Sequence, residues 1–338
     1  MAIQENYPLR KYNTFSIDAF ARFFSSFGSA DELAGLITSG YNVNRQPLIL
    51  GGGSNILFTR NYDGLVIKND IKGIERVAED AMHVYIKAGA GENWHQFVLH
   101  CIDHGLAGVE NLSLIPGNLG AGPMQNIGAY GVELKDVFHE LEAFHLDDKQ
   151  IVTFNRTGCD FGYRESIFKR KHNGKFVILN VTFKLAKTPV FNTSYGAIEQ
   201  ELDRMGISAL SIRSISQAVI NIRQSKLPDP AEIGNAGSFF KNPEVPALLY
   251  HELKHRFSGL IGYVLENQQY KLAAGWLIEQ CGWKGYRIGD AGCHARQALV
   301  LVNYGNARGQ EIYDLSERIV ESVENTFGVV LEREVNVI

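Results

Sequence analysis

The stretch Leu114–Glu133, LIPGNLGAGPMQNIGAYGVE, limits what this chain can fold into more than any other. Five glycines (Gly117, Gly120, Gly122, Gly128, Gly131) and two prolines (Pro116, Pro123) in twenty residues exclude a regular helix or a long strand. A solvated loop would carry Ser, Asp and Lys, whereas this one holds almost no charge, so it is expected to be irregular yet enclosed. Enclosed irregular backbone must satisfy its N–H and C=O groups. The plain reading is a tight corner between two elements. The sharper one is a backbone cradle for a large phosphate-bearing cofactor, with N–H groups gathered round an anion and Gln125 and Asn126 beside them. A corner needs one or two glycines, so five favour the cradle.

The bulk properties narrow the function classes. A length of 338 residues is enough for two or three domains. A net charge of −4 offers no basic field for a polyanion, which argues against general nucleic-acid binding but not against a small phosphorylated ligand. The start, MAIQENYPLRKYNTF, has no apolar signal region, and no apolar run reaches membrane-span length, so no membrane association is expected. Cys101, Cys159, Cys281 and Cys293 are scattered without a C-x-x-C pair, which disfavours a metal or disulfide role and makes a reducing cytoplasm the default.

Along the chain, Ser29 and Glu32 form a capping box opening a helix through Leu33, Leu36 and Ile37. Pro47–Leu50 reads as a buried strand running into Gly51-Gly52-Gly53-Ser54-Asn55, and Ile56–Phe58 and Leu65–Lys68 are strand-like. Gly51-x-Gly53 is not a Rossmann fingerprint: position 56 is Ile, and Ile56–Phe58 is strand-like rather than a helix N-terminus. Val84, Ile86 and Ala88 alternate as a half-buried strand, and Asn93 caps a helix through Trp94, Phe97, Val98, Cys101 and Ile102. His95, His100 and His104, on or beside that helix, receive no role. Strands are expected at Glu140–Phe144, Gln150–Phe154 and Phe176–Lys184, and a helix start at Ser214–Gln217, ended by the two prolines of Lys226-Leu-Pro-Asp-Pro230. The last third carries Gly234–Pro243 with Ser238 at an aromatic junction, a helix around Leu272–Gln280, and a strand at Gln297–Asn303. A helix is expected through Ile312, Leu315, Ile319, Val320, Val323 and Phe327, ending at Gly328. A tail strand, Val329–Ile338, puts Glu332 and Glu334 on one face. Arg164, in Phe161-Gly-Tyr-Arg-Glu-Ser166, is either a surface cation or a planar donor fork for a carboxylate or a developing enolate.

Taken together, Asn13-Thr-Phe15, Leu48–Asn55, Ala88–Trp94, Leu114–Glu133, Phe161–Phe168, Lys226-Leu-Pro228, Gly234–Pro243, Lys271–Gln280, Gln297–Asn303 and Leu331–Val335 resemble one family in order over almost the whole chain. That family is the UDP-N-acetylenolpyruvoylglucosamine reductases, flavoenzymes of bacterial peptidoglycan synthesis, and the Tyr195 loop is similar to its type I branch. The resemblance implies an α+β fold: a two-part, non-Rossmann FAD-binding region of the vanillyl-alcohol-oxidase type plus a C-terminal α/β substrate-binding domain. The expected division is 1–70, 71–215 and 216–338. It implies non-covalent FAD held by Leu50, Gly51, Gly52, Gly53, Ser54 and Asn55, and by Ile115, Pro116, Gly117, Gly120, Gln125, Asn126, Gly128 and Tyr130. It implies NADPH as hydride source, Tyr195, Lys226, Asn242 and Gln297 lining a UDP-sugar site, and a cytoplasmic monomer.

The resemblance also implies Arg164, Ser238 and Glu334 as catalytic residues, with Glu332 the alternative carboxylate. In that chemistry, hydride reaches C3 of the enolpyruvyl group, Arg164 and Glu334 stabilise the enolate, and Ser238 protonates C2. A protonated Glu334 would donate a hydrogen bond if burial raised its pKa. Two places depart from the family pattern. Ala121-Gly122 stand where relatives have serines, and the tail reads Glu-Arg-Glu-Val-Asn, with Arg333 able to pair with either Glu and Asn336 in place of an Arg. The rivals are a flavin oxidase of the same fold, which often tethers flavin through a His missing from Gly51–Asn55, and a non-catalytic sugar-nucleotide-binding protein. A P-loop NTPase lacks its G-x-x-x-x-G-K-[ST].

Overall fold

Alternation sets the largest sheet. In the strand His83–Gly89, Val84, Ile86 and Ala88 are buried while His83, Tyr85 and Lys87 are partly exposed. This strand lies between Phe176–Ala186 and Ile74–Glu79 in a five-stranded antiparallel sheet that continues through Phe138–His145 to Ile151–Asn155. The helix Trp94–Asp103 buries Trp94, Phe97, Val98, Cys101 and Ile102 with the sheet's Val84, Ile86 and Phe183 in one apolar cluster. Each such large side chain contributes about 2–3 kcal/mol. The structure, a computed structural model, describes residues 2–41, 46–265 and 267–338.

A second sheet orders Gln4–Pro8, Phe20–Phe27, Tyr62–Asn69 and Leu48–Leu50, the last pairing parallel to Val66–Lys68. Its covering helix, Ala30–Thr38, starts at Ser29, whose hydroxyl accepts from Glu32 N at 3.2 Å. The Glu32 carboxylate reaches Gly28 N instead of closing the box on Ser29. The helices Gly196–Arg204 and Ile212–Lys226 pack through Ile198, Leu202, Ile215, Ala218, Val219 and Ile222. The second of these begins earlier than the Ser214–Gln217 pattern suggests. Ser211 and Ser214 cap each other, Ser214 N donating to Ser211 Oγ at 3.0 Å and Ser211 N to Ser214 Oγ at 2.9 Å.

The chain divides into one unit of residues 1–7, 21–52 and 63–225 and a second of 8–20, 53–62 and 226–338. This differs from the expected three consecutive segments in two ways. Both sheets described above fall in the first unit, and its last helix, packed on Gly196–Arg204, carries the boundary to Ser225. Residues 8–20 and 53–62 join the C-terminal part because they bond to it: Asn235 N donates to Thr14 O, and Asn303 Nδ2 to Phe15 O.

The second unit holds a sheet ordered Gly234–Asn235, Leu301–Asn303, Ala291–Cys293 and Arg287–Ile288, and a smaller one of Glu244–Val245, Tyr270–Leu272 and Gly262–Val264. Leu272 is thus strand, and the helix after it spans Ala274–Gln280. Of Gln297–Asn303 only Leu301–Asn303 is strand. The helix Gly309–Phe327 buries Ile312, Leu315, Ile319, Val323 and Phe327, and Gly328 caps it at φ 67°. Gly309 meets backbone: a Cβ there would lie 1.8 Å from Phe58 O. Gly309→Ala is therefore expected to destabilise the protein by ~4 kcal/mol or more, read by denaturant unfolding.

The tail is not one continuous strand. Arg333 bridges Phe240 antiparallel, whereas Asn336–Val337 pair parallel with Ile56–Leu57. The chain turns from one partner to the other, so the alternation stops after Leu331 and Val335, and Val337 is exposed. All four cysteines are free. Burial pushes the Cys159 and Cys293 thiols up to about 12, which keeps them unreactive. No helix among the described residues is long and apolar enough to cross a membrane.

Candidate active site

In the first unit the two glycine-rich segments meet. The strand Leu48–Leu50 delivers Gly51 and Gly52 against Gly117 and Asn118. A Cβ on Gly52 would fall 2.8 Å from Gly117 Cα, and one on Gly51 would lie 3.4 Å from Asn118 Cβ. Gly52 therefore has no room for a side chain, because the two glycine-rich segments meet main chain to main chain there, whereas a Cβ on Gly51 would sit in ordinary contact with the Asn118 side chain. Gly53 starts the second unit's share of the chain at φ 63°, and its carbonyl accepts from Thr14 N at 3.0 Å.

The glycines of Leu114–Glu133 do not all serve the same end. Gly120 N donates to Ala90 O at 2.9 Å, and a Cβ there would strike Ala90 Cβ at 2.5 Å. Gly122 N bonds Leu119 O, and a Cβ on Gly122 would meet Leu134 Cδ1 at 2.7 Å. These two are packing glycines. A serine at 122 would collide with the fully buried Leu134, which accounts for Gly122 in this chain. Leu119 N and Ala121 N are also committed, to Glu92 O and Asn118 O. Fewer main-chain N–H groups are therefore left for a ligand than a count of glycines suggests.

Asn126 is fully buried, with its side chain satisfied by protein. Nδ2 donates to Glu133 Oε2 and Gly162 O, both at 3.0 Å, and Oδ1 accepts from Lys135 N at 3.0 Å. Its φ of 44° suits Asn better than most side chains. Asn126→Ala should cost ~3 kcal/mol or more, since three bonds vanish in the interior; a chemical melt within ~1 kcal/mol of wild type would contradict this.

The same loop is stitched to the Arg164 turn. Tyr163 and Arg164 form a two-residue turn closed by the Gly162–Glu165 pair, with Arg164 at φ 55°. A left-handed arginine costs of order 1 kcal/mol and needs support from its surroundings. Arg164 Nη2 supplies it by donating to Gly128 O at 2.8 Å, beside Ser166 Oγ to Met124 O at 2.6 Å and the Asn126–Gly162 bond. The guanidinium is thereby fixed on the glycine-rich loop, with its carbon 5.6 Å from the Tyr163 ring centre.

Tyr130 and Tyr195 meet edge to face, 5.3 Å between ring centres, with Tyr195 exposed. Asn111 Nδ2 donates to both Tyr130 O and Asn192 O, tying the end of the glycine loop to the Tyr195 segment. Arg223, which the sequence does not mark, joins them here. Its Nε donates to Leu114 O at 3.2 Å, its charge acts on Tyr130 and Arg164, and burial holds its pKa below the usual arginine value. Its signal in the sequence is faint: one of two arginines on an otherwise ordinary amphipathic helix.

In the second unit the tail crosses the Ser238 segment. Phe239 N donates to Leu299 O at 2.7 Å, and Glu334 N donates to Phe239 O at 2.8 Å, so the residue after Ser238 is pinned on both sides. Ser238 itself is exposed. Asn55 Nδ2 donates to Glu334 O at 3.2 Å, while Asn55 O accepts from Asn336 N and Nδ2. Asn55 and Asn336 thus set the main-chain position of Glu334. Glu332 is differently placed, its carboxylate ion-paired with the buried Lys241. Arg333 pairs with neither tail glutamate. It bonds Glu317 and Ser316 and lies over Tyr313, because its place in the antiparallel bridge turns it to the helix Gly309–Phe327.

Of the other expected substrate residues in this unit, Asn242 and Gln297 both lie against the start of the helix Ala274–Gln280. Asn242 Oδ1 accepts from Ala274 N at 3.0 Å, and a Cβ on Gly275 would lie 3.1 Å from Gln297 Oε1. Lys226 is exposed at the end of its helix. Arg164 belongs to the first unit, Ser238 and Glu334 to the second.

Comparison with known proteins fits these features. Residues 229–338 match the family described as UDP-N-acetylenolpyruvoylglucosamine reductase, C-terminal domain, and residues 22–155 match an FAD binding domain. The chain is 51% identical to the UDP-N-acetylenolpyruvoylglucosamine reductase of Amoebophilus asiaticus and 49% to that of Flavobacterium johnsoniae, each over 100% of both chains. The solved reductase from Thermus caldophilus shares the fold, with a TM-score of 0.66 at 23% identity, covering 100% of this chain and 99% of that one. With an identity of 51% over its whole length, this chain belongs to the UDP-N-acetylenolpyruvoylglucosamine reductase family.

Proposed function

We infer that the chain is an FAD-dependent oxidoreductase that uses NADPH to reduce the enolpyruvyl ether of UDP-N-acetylglucosamine to the D-lactyl ether of UDP-N-acetylmuramate, a peptidoglycan precursor. The observation that carries this reading is the meeting of the Gly51–Gly52 and Gly117 main chain, where Gly52 has no room for a side chain, in a chain whose tail holds Glu334 at Phe239, next to Ser238. The residues present fit FAD: glycine main chain with the Asn118 side chain beside it offers neutral hydrogen-bonding groups, and no His stands in Gly51–Asn55 for covalent attachment. Held by the two glycine-rich segments, FAD would supply the hydride transfer from NADPH to C3 of the enolpyruvyl group.

This chain's own groups do the rest. Arg164, fixed by Gly128 O, holds a full positive charge for the substrate carboxylate, and its effect grows as that carboxylate gains enolate character. Glu334, its main chain held by Phe239 and Asn55, acts on the same developing charge. The Ser238 hydroxyl gives its proton to C2, and a strongly basic carbon within hydrogen-bond reach is what makes so weak an acid sufficient. Lys226 supplies a cation for the diphosphate, and Tyr195, Asn242 and Gln297 contact the sugar nucleotide. In the cradle Leu50, Ser54, Ile115, Pro116, Gln125 and Tyr130 line the cofactor, while Gly120, Asn126 and Asn55 shape its surroundings. The protein acts as a cytoplasmic monomer, where its nucleotide substrates are dissolved.

The test is the visible spectrum and one assay. The purified protein should be yellow or take up FAD, and NADPH oxidation should accelerate when the enolpyruvyl UDP-sugar is added. A protein that stays colourless with excess FAD, or whose NADPH oxidation ignores that substrate, overturns the reading.

A further inference from the structure

Five hydrogen bonds join Gly91–His95 to the stretch from Leu112 to Leu119, four of them to the first half of the glycine-rich loop. Asn118 Nδ2 donates to Gly91 O at 2.9 Å, Leu119 N to Glu92 O at 2.8 Å, Trp94 N to Gly117 O at 3.0 Å and Trp94 Nε1 to Leu112 O at 2.9 Å. The fifth is Leu114 N to His95 Nδ1 at 3.0 Å. The first four join amide, indole and carbonyl groups, none of which changes protonation near neutral pH. The fifth needs an imidazole nitrogen as acceptor, and only the neutral ring offers one. It also falls where the loop needs help: Leu114 has φ 58°, a left-handed conformation that a leucine adopts only under constraint. Leu114 is held from both ends, its N–H by His95 and its carbonyl by Arg223 Nε.

We propose that His95 is a positioning residue for the flavin site, its neutral Nδ1 holding Leu114 so that the backbone from Ile115 to Gly117 is shaped to receive the cofactor. The proposal rests on the FAD reading of the site. The charged group facing His95 is Arg223, from the helix Ile212–Lys226, which in turn meets Tyr130 and the charge of Arg164. On or beside its own helix, Asp103 is paired with Arg213, Glu92 with Lys72, and His100 lies against His104. Protonation would set a second N–H against Leu114 N–H and a second cation beside Arg223.

Burial, and then Arg223, hold His95 below the ordinary imidazole value of about 6.5. The closed loop therefore binds a proton less readily than the opened one. Its stability is complete above that ordinary value and is lost as pH falls through the depressed one.

The experiment is FAD titration of the apoprotein by flavin fluorescence from about pH 7.5 to about pH 5, with two variants. His95→Asn places a neutral oxygen near the position of Nδ1, and His95→Phe keeps a ring without an acceptor. Wild-type Kd should rise ~10-fold or more as pH falls, His95→Asn should be flat, and His95→Phe should bind ~10-fold more weakly even at the upper pH. If His95→Asn follows the wild-type profile, if wild-type Kd does not change with pH, or if His95→Phe binds like wild type, the inference is overturned and the functional reading stands. Should His95→Phe fail to fold, the His95→Asn profile alone decides. A wild-type protein that takes up no FAD at the upper pH overturns the functional reading and this inference with it.

Discussion

In Ser238→Ala, NADPH will reduce the bound cofactor at the wild-type rate, but the second half-reaction with the enolpyruvyl substrate will slow by ~10²–10⁴-fold, the usual worth of a positioned acid. The separation is expected because the substitution removes a hydroxyl and nothing else. Ser238 is exposed, and the neighbouring backbone is held by Phe239 N to Leu299 O and Glu334 N to Phe239 O, neither of which uses the serine side chain. Cofactor uptake and stability should therefore match wild type. Rapid mixing of the reduced enzyme with substrate reads the second step directly. Reoxidation at the wild-type rate would remove Ser238 as the proton donor, and loss of both half-reactions would point to a misplaced cofactor.

The second large effect separates two carboxylates two residues apart. Glu334→Gln keeps the main-chain bonds to Phe239 and Asn55, so the tail stays in place, and turnover should drop by ~10²-fold or more, because an amide N–H is a much weaker donor to a developing enolate than a carboxyl O–H. Glu332→Gln removes one partner of an ion pair whose carboxylate side chain is 69% exposed. Lys241 is buried, but the carboxylate stands largely in solvent and a neutral amide oxygen still accepts from the lysine, so turnover should stay within ~3-fold. The reverse pattern in kcat, with Glu332→Gln inactive and Glu334→Gln intact, would move the catalytic role to Glu332.

The tail also marks a limit of what the sequence makes legible. Period-2 alternation identifies His83–Gly89 and helical spacing identifies Trp94–Asp103 and Gly309–Phe327, because each buries one apolar face in a core that rewards that period. In the tail, Leu331, Val335 and Val337 alternate as one strand would, yet its two pairings are with segments far apart in the chain. Ser211 and Ser214 both fit a helix cap, and only the helix's packing register selects between them, so the pattern alone starts that helix three residues late. By sequence Arg333 suits its neighbours Glu332 and Glu334. Adjacent residues of an extended segment point to opposite faces, and Arg333 instead finds Glu317 and Ser316.

By itself, the sequence determined the family, the backbone character of the flavin loop and the residue types available for the chemistry. All three come from local facts: which positions lack a side chain, which carry charge, and in what order the motifs stand. Tertiary structure alone decided how the glycines divide. Gly52 lets the Gly117 backbone approach, whereas Gly120 and Gly122 make room for Ala90 and Leu134. It also decided that Asn126 and Asn55 hold the fold around the site, that Lys241 commits Glu332, and that a histidine without a role in the sequence supports the loop at Leu114. A glycine count cannot separate these uses, because what a missing side chain leaves room for depends on residues brought there from elsewhere in the chain.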